Sequence, residues 1–110
     1  MKTGPLKLEF KGFLSFLILH EISLKGLSGE DLAKKIGSRR GSQLTPGTIY
    51  PTLKKLRKLR LVQNKRFGRR KVYSLTEEGR KELKMTYSHI GTYMHGLQPY
   101  LKAPKKTVKK

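Results

Sequence analysis

The sequence predicts a mainly α-helical fold with one small β-hairpin and a long C-terminal helix. Apolar residues recur at helical spacing over most of the 110 residues, and one glycine-containing turn joins two short strand-like stretches. A chain of this length has room for one compact domain with tails. With 35% hydrophobic residues its core is marginal, so we expect it to gain stability by forming a dimer.

The first helix is predicted over residues 9–25, after an N-terminal extension of residues 1–8. Its apolar positions lie nearly all round the helix, which indicates that it is buried. The apolar run from residue 13 to residue 19 is much shorter than the ~20 residues that a membrane-spanning helix needs. We therefore expect no membrane partner.

A second, short helix is predicted to begin after Ser28, whose hydroxyl group is suited to capping it, with acidic residues in the first turn. Gly37 is expected to stop this helix, because glycine is the usual residue just after a helix end. Residues 37–44 are then predicted to form a turn.

A third helix is predicted over residues 46–59. Thr45 is expected to cap it with its hydroxyl group, and Pro46 stands at the first helical position, where its missing N–H is harmless. Pro51 removes one helical hydrogen bond, so a kink or a tight first turn is expected there. The inward stripe of this helix is Ile49, Leu53 and Leu56.

A β-hairpin is predicted next, with strands at residues 61–66 and 71–75. The four residues from Phe67 to Arg70 contain a glycine and form the expected turn. The tip of this hairpin is strongly basic.

The last helix is predicted over residues 77–101, with Thr76 as its cap and Pro99 near its end. Its apolar positions are separated by alternating steps of four and three residues, which is the a/d pattern of helices that pair. These positions form the predicted dimer interface: Leu83, Tyr87, Ile90, Met94 and Leu97. Residues 102–110 are predicted to be a disordered basic tail.

The net charge is large and positive, and the positive residues are concentrated in one segment of the sequence. The chain has 26 lysines and arginines against 7 acids, a net charge of +19, which favours a polyanionic partner such as nucleic acid. All seven acids lie outside residues 32–76, a segment that contains fourteen lysines and arginines. Lys54 and Lys58 lie opposite the inward stripe of the third helix. This distribution predicts a helix-turn-helix with a wing, in which one basic side faces DNA.

One motif is specific enough to indicate a family. Residues 44–53 read Leu-Thr-Pro-Gly-Thr-Ile-Tyr-Pro-Thr-Leu, and residues 68–79 read Gly-Arg-Arg-Lys-Val-Tyr-Ser-Leu-Thr-Glu-Glu-Gly. Over residues 10–97 the chain resembles the PadR-like winged-helix transcriptional regulators, in the short form with a single C-terminal helix. It departs from the family at residues 27–30, where Leu-Ser-Gly-Glu replaces the common leucine-histidine-glycine-tyrosine.

The resemblance implies a homodimer whose third helix enters the major groove of double-stranded DNA while the wing contacts phosphate or the minor groove. It implies a DNA-binding domain over residues 9–76 and a dimerisation helix over residues 77–101. The expected DNA-binding residues on the third helix are Thr45, Thr48, Tyr50, Pro51, Lys54, Lys55 and Lys58. On the wing they are Arg66, Arg69, Arg70 and Lys71. Tyr50 has a competing interpretation as a cap on the core. Tyr87, Ile90 and Met94 have one as the lining of a ligand pocket between subunits.

The sequence gives little support for catalysis, a metal or a cofactor. No cysteine is present, and His89 and His95 are six residues apart, which puts them on different helix faces. The cluster of Glu77, Glu78 and Glu82 is explained by its place at a helix start. We therefore expect no enzyme, no metal site and no cofactor, and a cytoplasmic protein associated with the nucleoid.

Four functions remain in order of support. The first is a dimeric, sequence-specific regulator of transcription, for which we expect repression. The second is an architectural protein that coats DNA with little specificity, and the third is an RNA-associated protein, which lacks the aromatic stacking platform that such proteins use. An enzyme comes last. The sequence identifies neither a small-molecule effector nor an operator.

Overall fold

Four helices and one hairpin follow each other in the computed structural model, which describes residues 10–41 and 43–101. The elements in chain order are α1 (Phe10–Leu24), α2 (Gly29–Arg40), α3 (Pro46–Lys58), β1 (Val62–Phe67), β2 (Arg70–Leu75) and α4 (Glu77–Met94), followed by a 3-10 helix (Gln98–Tyr100). This confirms the predicted mainly helical fold with a small hairpin. The predicted extension at residues 1–8 and the predicted tail at residues 102–110 lie outside the described residues.

One hydrophobic core connects all the helices with the hairpin. Its fully buried side chains are Leu14, Ile18, Leu32, Ile36, Ile49 and Leu53, which come from α1, α2 and α3. Burying an aliphatic side chain of this size stabilises a fold by roughly 1.5–3 kcal/mol relative to leaving it exposed. Val62, Tyr73 and Leu83 join the same core from the hairpin and from α4. Within the described residues, no helix has the length and apolar character needed to cross a bilayer.

Two of the three predicted caps form. The Ser28 hydroxyl accepts a hydrogen bond from the Asp31 N–H at 3.1 Å, and the Thr76 hydroxyl accepts one from the Gly79 N–H at 2.9 Å. The third cap prediction is wrong, because the Thr45 side chain accepts no hydrogen bond from the start of α3. Its hydroxyl instead lies 3.4 Å from the hydroxyl of Thr48.

The predicted end of α2 at Gly37 is also wrong. The helix continues to Arg40, and the residue that ends it is Gly41, which adopts the left-handed conformation with φ of 77°. Gly37 is buried. The packing of this buried face outweighs the cost of glycine in a helix, which is about 1 kcal/mol relative to alanine. The turn between α2 and α3 is therefore shorter than the predicted residues 37–44.

The C-terminal helix is shorter than predicted. It ends at Met94 rather than near Pro99, and Gly96 then takes a left-handed φ of 82° that an α-helix does not allow. Pro99 lies within the 3-10 helix that follows. Of the five predicted dimer positions, Leu97 is therefore not on α4.

The hairpin is longer and its turn tighter than predicted. Phe67 pairs with Arg70, so the turn itself consists of Gly68, at a φ of 64°, and Arg69. The loop between α1 and α2 adds a short bridge to the free side of β2: the Leu27 N–H donates to the Tyr73 carbonyl at 3.2 Å, and the Tyr73 N–H donates to the Leu27 carbonyl at 2.8 Å. This bridge anchors the hairpin beside the start of α2.

Candidate nucleic-acid interface

The recognition helix predicted from the sequence corresponds to α3. Its inward stripe of Ile49, Leu53 and Leu56 is buried, as predicted. The helix continues through Pro51, which is exposed. The side chains of the remaining predicted contacts on this segment are exposed to solvent: Thr45, Thr48, Lys54, Lys55 and Lys58. Because α3 turns its apolar stripe to the core, its lysines are presented outward on one basic face.

Tyr50 has a more specific position than its neighbours on α3. Its ring lies directly against the backbone of Gly29 at the start of α2: a Cβ atom at residue 29 would stand 2.6 Å from the Tyr50 ring carbons Cε1 and Cζ. The side chain is still 43% exposed. Tyr50 therefore packs between two helices and keeps one edge of its ring accessible.

Tyr50 also affects a second tyrosine, Tyr73 of β2. Burial raises the pKa of Tyr73 above its ordinary value of 10.0, nearby Tyr50 raises it further, and the guanidinium of Arg57 opposes both effects. Tyr50 and Arg57 are thus close enough to the hairpin to affect the ionisation of Tyr73, although both side chains are exposed.

The wing residues fall into two groups. Arg66, Arg69 and Lys71 are exposed, and none of them makes an ion pair with another described residue. Arg70 differs, because its Nη2 donates a hydrogen bond to the Asp31 carboxylate at 2.6 Å and lies 3.5 Å from the Ser28 hydroxyl. This contact joins the tip of the wing to the start of α2, which sequence reasoning missed.

Two ion pairs form within the described part of the chain. One is the Arg70–Asp31 pair, and the other joins Arg39 of α2 to Glu21 of α1, with 2.7 Å between Nε and Oε2. Glu21 is buried, so its carboxylate needs this partner. These two pairs engage only Arg39 and Arg70 of the basic segment at residues 32–76, and its other described lysines and arginines form no ion pair.

The predicted dimer residues on α4 also have unequal surroundings. Leu83 is buried in the core of its own chain, and Ile90 and Met94 are partly buried. The Tyr87 hydroxyl is hydrogen-bonded to His20 Nδ1, and its ring meets Phe16 edge-on at 5.7 Å between centroids.

Tyr87 remains 42% exposed, and Leu97 is 43% exposed beyond the end of the helix. The hydrogen bond between His20 and Tyr87 joins residues 67 apart in the sequence, so the spacing within either helix does not indicate this contact.

No metal-binding cluster is formed by the described residues: no group of three or more histidine, aspartate or glutamate side chains is placed to hold an ion. The molecule offers instead an outward basic helix beside a basic hairpin. That arrangement suits contact with a phosphate backbone.

Comparison with known proteins identifies the family. The model of the transcriptional regulator PadR-like family matches residues 18–85. The chain belongs to the PadR-like family. Comparison with curated protein sequences gives no match.

Solved structures of PadR-like regulators share the fold. The chain is similar to a PadR-like transcriptional regulator from Bacillus cereus, with 25% identity, a TM-score of 0.74, and 86% of this chain and 96% of that chain covered. It is similar to a PadR family regulator from Clostridium difficile, with 26% identity, a TM-score of 0.68, and coverage of 83% and 100%. A Streptococcus transcriptional regulator shares the fold at 24% identity, with a TM-score of 0.73 and coverage of 88% and 100%.

Membership of the PadR-like family confirms the resemblance drawn from residues 44–53 and 68–79. The chain is a DNA-binding transcriptional regulator with a winged helix, and it is not an enzyme. Within that fold, α3 and the β1–β2 hairpin occupy the positions at which the sequence predicts the recognition helix and the wing.

Proposed function

We propose that this PadR-like protein is a homodimeric repressor that binds a twofold-symmetric site on double-stranded DNA. In this proposal α3 reads the major groove, and the wing at residues 65–71 contacts the DNA backbone or the minor groove. The observation that carries it is the two-sided character of α3, whose apolar stripe is buried while Lys54, Lys55 and Lys58 are exposed. A helix with exposed lysines is suited to the major groove of DNA, because phosphates line both sides of that groove.

Base reading and phosphate binding are assigned to different residues. Thr48, Tyr50 and Lys54 are our candidates for base contacts. The Tyr50 ring packs against Gly29 and would contact a base with the part of the ring that stays exposed. The unpaired wing residues Arg66 and Arg69 are candidates for phosphate contacts. Arg70 contributes to the wing through its ion pair with Asp31 rather than as a free charge.

The test is selection from a random duplex library by the purified protein at ~150 mM salt, where non-specific phosphate binding is partly screened. We expect a twofold-symmetric motif with half-sites about one helical turn, ~34 Å, apart. Lys54→Ala should then weaken binding to the motif more than binding to random duplex. The double variant Arg66→Ala/Arg69→Ala should weaken both alike and reduce the salt slope by about two units per subunit. Equal losses on both duplexes from both variants would refute this assignment.

Dimerisation through α4 is supported by the apolar side chains left exposed near its end. Tyr93 is 77% exposed, Leu97 43% and Leu101 56%. Exposed apolar groups concentrated in one region are typical of interaction surfaces. Ile90→Glu should give a folded monomer by light scattering with unchanged circular dichroism, whereas Ser88→Glu, on the outer face of α4, should remain a dimer. A dimeric Ile90→Glu variant would place the interface elsewhere.

A second candidate function is that of an architectural protein that coats DNA with low specificity. It is favoured by the fourteen cations of residues 32–76 and the absence of acids among them. Tight binding without any selected motif, together with a steep salt dependence, would favour this function over the repressor. In either case we propose a cytoplasmic protein associated with the nucleoid.

A further inference from the structure

Two neighbouring grooves lie on the side of α2 that faces α1. They are lined by several lysines and arginines, and they are separate from α3. One is lined by Glu21, Leu24, Lys34, Lys35, Ser38 and Arg39. The other adds Lys25, Gly26, Leu27, Asp31 and Arg70 to the same two lysines of α2. Lys34 and Lys35 thus form the ridge between the grooves. We call the exposed side chains of Lys25, Lys34 and Lys35, with Ser38, the lateral surface.

The acids around the lateral surface do not neutralise it. Glu21 is buried and paired with Arg39, and Asp31 is paired with Arg70. Glu30 lies one turn before Lys34 but forms no ion pair with it and lines neither groove. The three lysines are therefore exposed cations without a carboxylate partner among the described residues.

The lateral surface is separate from the recognition helix but continuous with the wing. No described residue of α3 lines either groove. Arg70, at the tip of the hairpin, forms one edge of the second groove, and its bond to Asp31 fixes that edge in place. The wing and the lateral surface are therefore neighbouring basic regions that share Arg70 as a border.

We propose that the lateral surface binds phosphates of double-stranded DNA that flanks the segment read by α3. Lysine ammonium groups bind phosphate as point charges, and the Ser38 hydroxyl adds a donor at the ridge. This inference rests on the proposed function, since it requires α3 and the wing to dock on DNA first. It lengthens the DNA footprint of each subunit without adding base contacts.

The experiment compares two double variants of the full chain on two duplexes. Lys34→Gln/Lys35→Gln removes two charges from the lateral surface, and Lys81→Gln/Lys84→Gln removes two exposed charges from α4. The short duplex has ~20 base pairs and covers two half-sites one helical turn apart, and the long duplex extends it by ~10 base pairs on each side. Binding is measured by fluorescence anisotropy over a salt series.

On the long duplex, the lateral variant should reduce the salt slope by about two units per subunit. Because a bound dimer carries two lateral surfaces, raising salt from ~50 to ~200 mM should then weaken the wild type about a hundredfold more than this variant. On the short duplex the lateral variant should match the wild type within about twofold, and the α4 variant should do so on both. Equal melting temperatures would show that all the proteins are folded.

Two results would overturn the inference. If both double variants lose the same affinity on the long duplex, the lysines act only through overall charge. If the lateral variant loses as much on the short duplex as on the long one, its lysines contact the central site and not flanking DNA. Failure of the wild type to bind either duplex would instead refute the proposed function.

Discussion

Replacing Gly79 by alanine tests how α4 is fixed to the segment that follows α3. Gly79 lies in the first turn of α4, directly against the segment between α3 and β1. A Cβ atom at this position would stand 2.0 Å from the carbonyl oxygen of Leu61 and 3.0 Å from its carbonyl carbon. Both atoms belong to the backbone, so a side-chain rotation cannot relieve the contact. Gly91, further along α4, has no neighbouring atom within 4 Å of the same position and provides the matched control.

Opposing terms set the size of the effect. Alanine is more favourable than glycine inside a helix by about 1 kcal/mol, and Gly91→Ala should gain roughly that amount. At Gly79 the overlap forces the backbone apart, which typically costs about 1–3 kcal/mol. The shift also weakens the 3.1 Å hydrogen bond from the Thr76 N–H to the Leu61 carbonyl, a loss of about 1 kcal/mol. Gly79→Ala should therefore be less stable than the wild type by about 1–3 kcal/mol.

Urea unfolding followed by circular dichroism measures the difference, at one fixed protein concentration because a dimer gains stability by mass action. The two variants should differ by about 2–4 kcal/mol in the free energy of unfolding. Each 1 kcal/mol corresponds to roughly 4–8 °C in Tm for a domain of this size. A Gly79→Ala protein as stable as Gly91→Ala would refute the close approach of α4 to Leu61.

Three further predictions concern single side chains. Asp31→Asn should release Arg70 for phosphate contact, which steepens the salt slope of binding to random duplex by about one unit and lowers stability by less than ~1 kcal/mol. Arg39→Ala should lower the free energy of unfolding by about 1–3 kcal/mol because it leaves the buried Glu21 carboxylate unpaired, and adding Glu21→Gln should restore most of the loss; no loss in the single variant would contradict the pairing. The raised pKa of Tyr73 means that the folded state resists ionisation of this hydroxyl while the unfolded chain ionises it near its ordinary value of 10.0. Stability should therefore be full below ~pH 10 and decrease as the pH rises through the raised value, and Tyr73→Phe should decrease less between ~pH 9 and ~pH 11 in thermal melts.

The sequence predicted the features that depend on local chemistry. The caps at Ser28 and Thr76 formed because each serves an N–H three residues away. The hairpin formed around its glycine, and the buried stripe of α3 followed from helical spacing. The errors came where local preference and tertiary packing disagree. Gly37 resembles a helix stop but is buried inside α2, where neighbouring contacts keep the helix intact.

The sequence predicted the candidate site as a set of exposed cations. The structure shows that these cations differ, because Arg70 is held in an ion pair and the other wing cations are not. Arg70 and Asp31 are 39 residues apart in the sequence, so no local pattern indicates their ion pair. The direction of Tyr50 depends on how α3 crosses α2, which periodicity does not specify. The side chains of Lys54 and Lys58 were placed correctly outside the core because the buried stripe alone fixes the opposite face of a helix.

The contact of Tyr50 with Gly29 constrains how this regulator can be changed or recombined. The aromatic ring occupies the space that a side chain at residue 29 would need, so a larger residue at position 29 requires the Tyr50 ring to move or to be replaced by a smaller side chain. Among related sequences, a residue larger than glycine at position 29 should accompany a residue smaller than tyrosine at position 50. An exchange of α3 between regulators that brings an aromatic ring to the position of Tyr50 should therefore keep a glycine at the start of α2. A change at position 50 of α3 therefore has to be compatible with the start of α2, because the two helices share this contact.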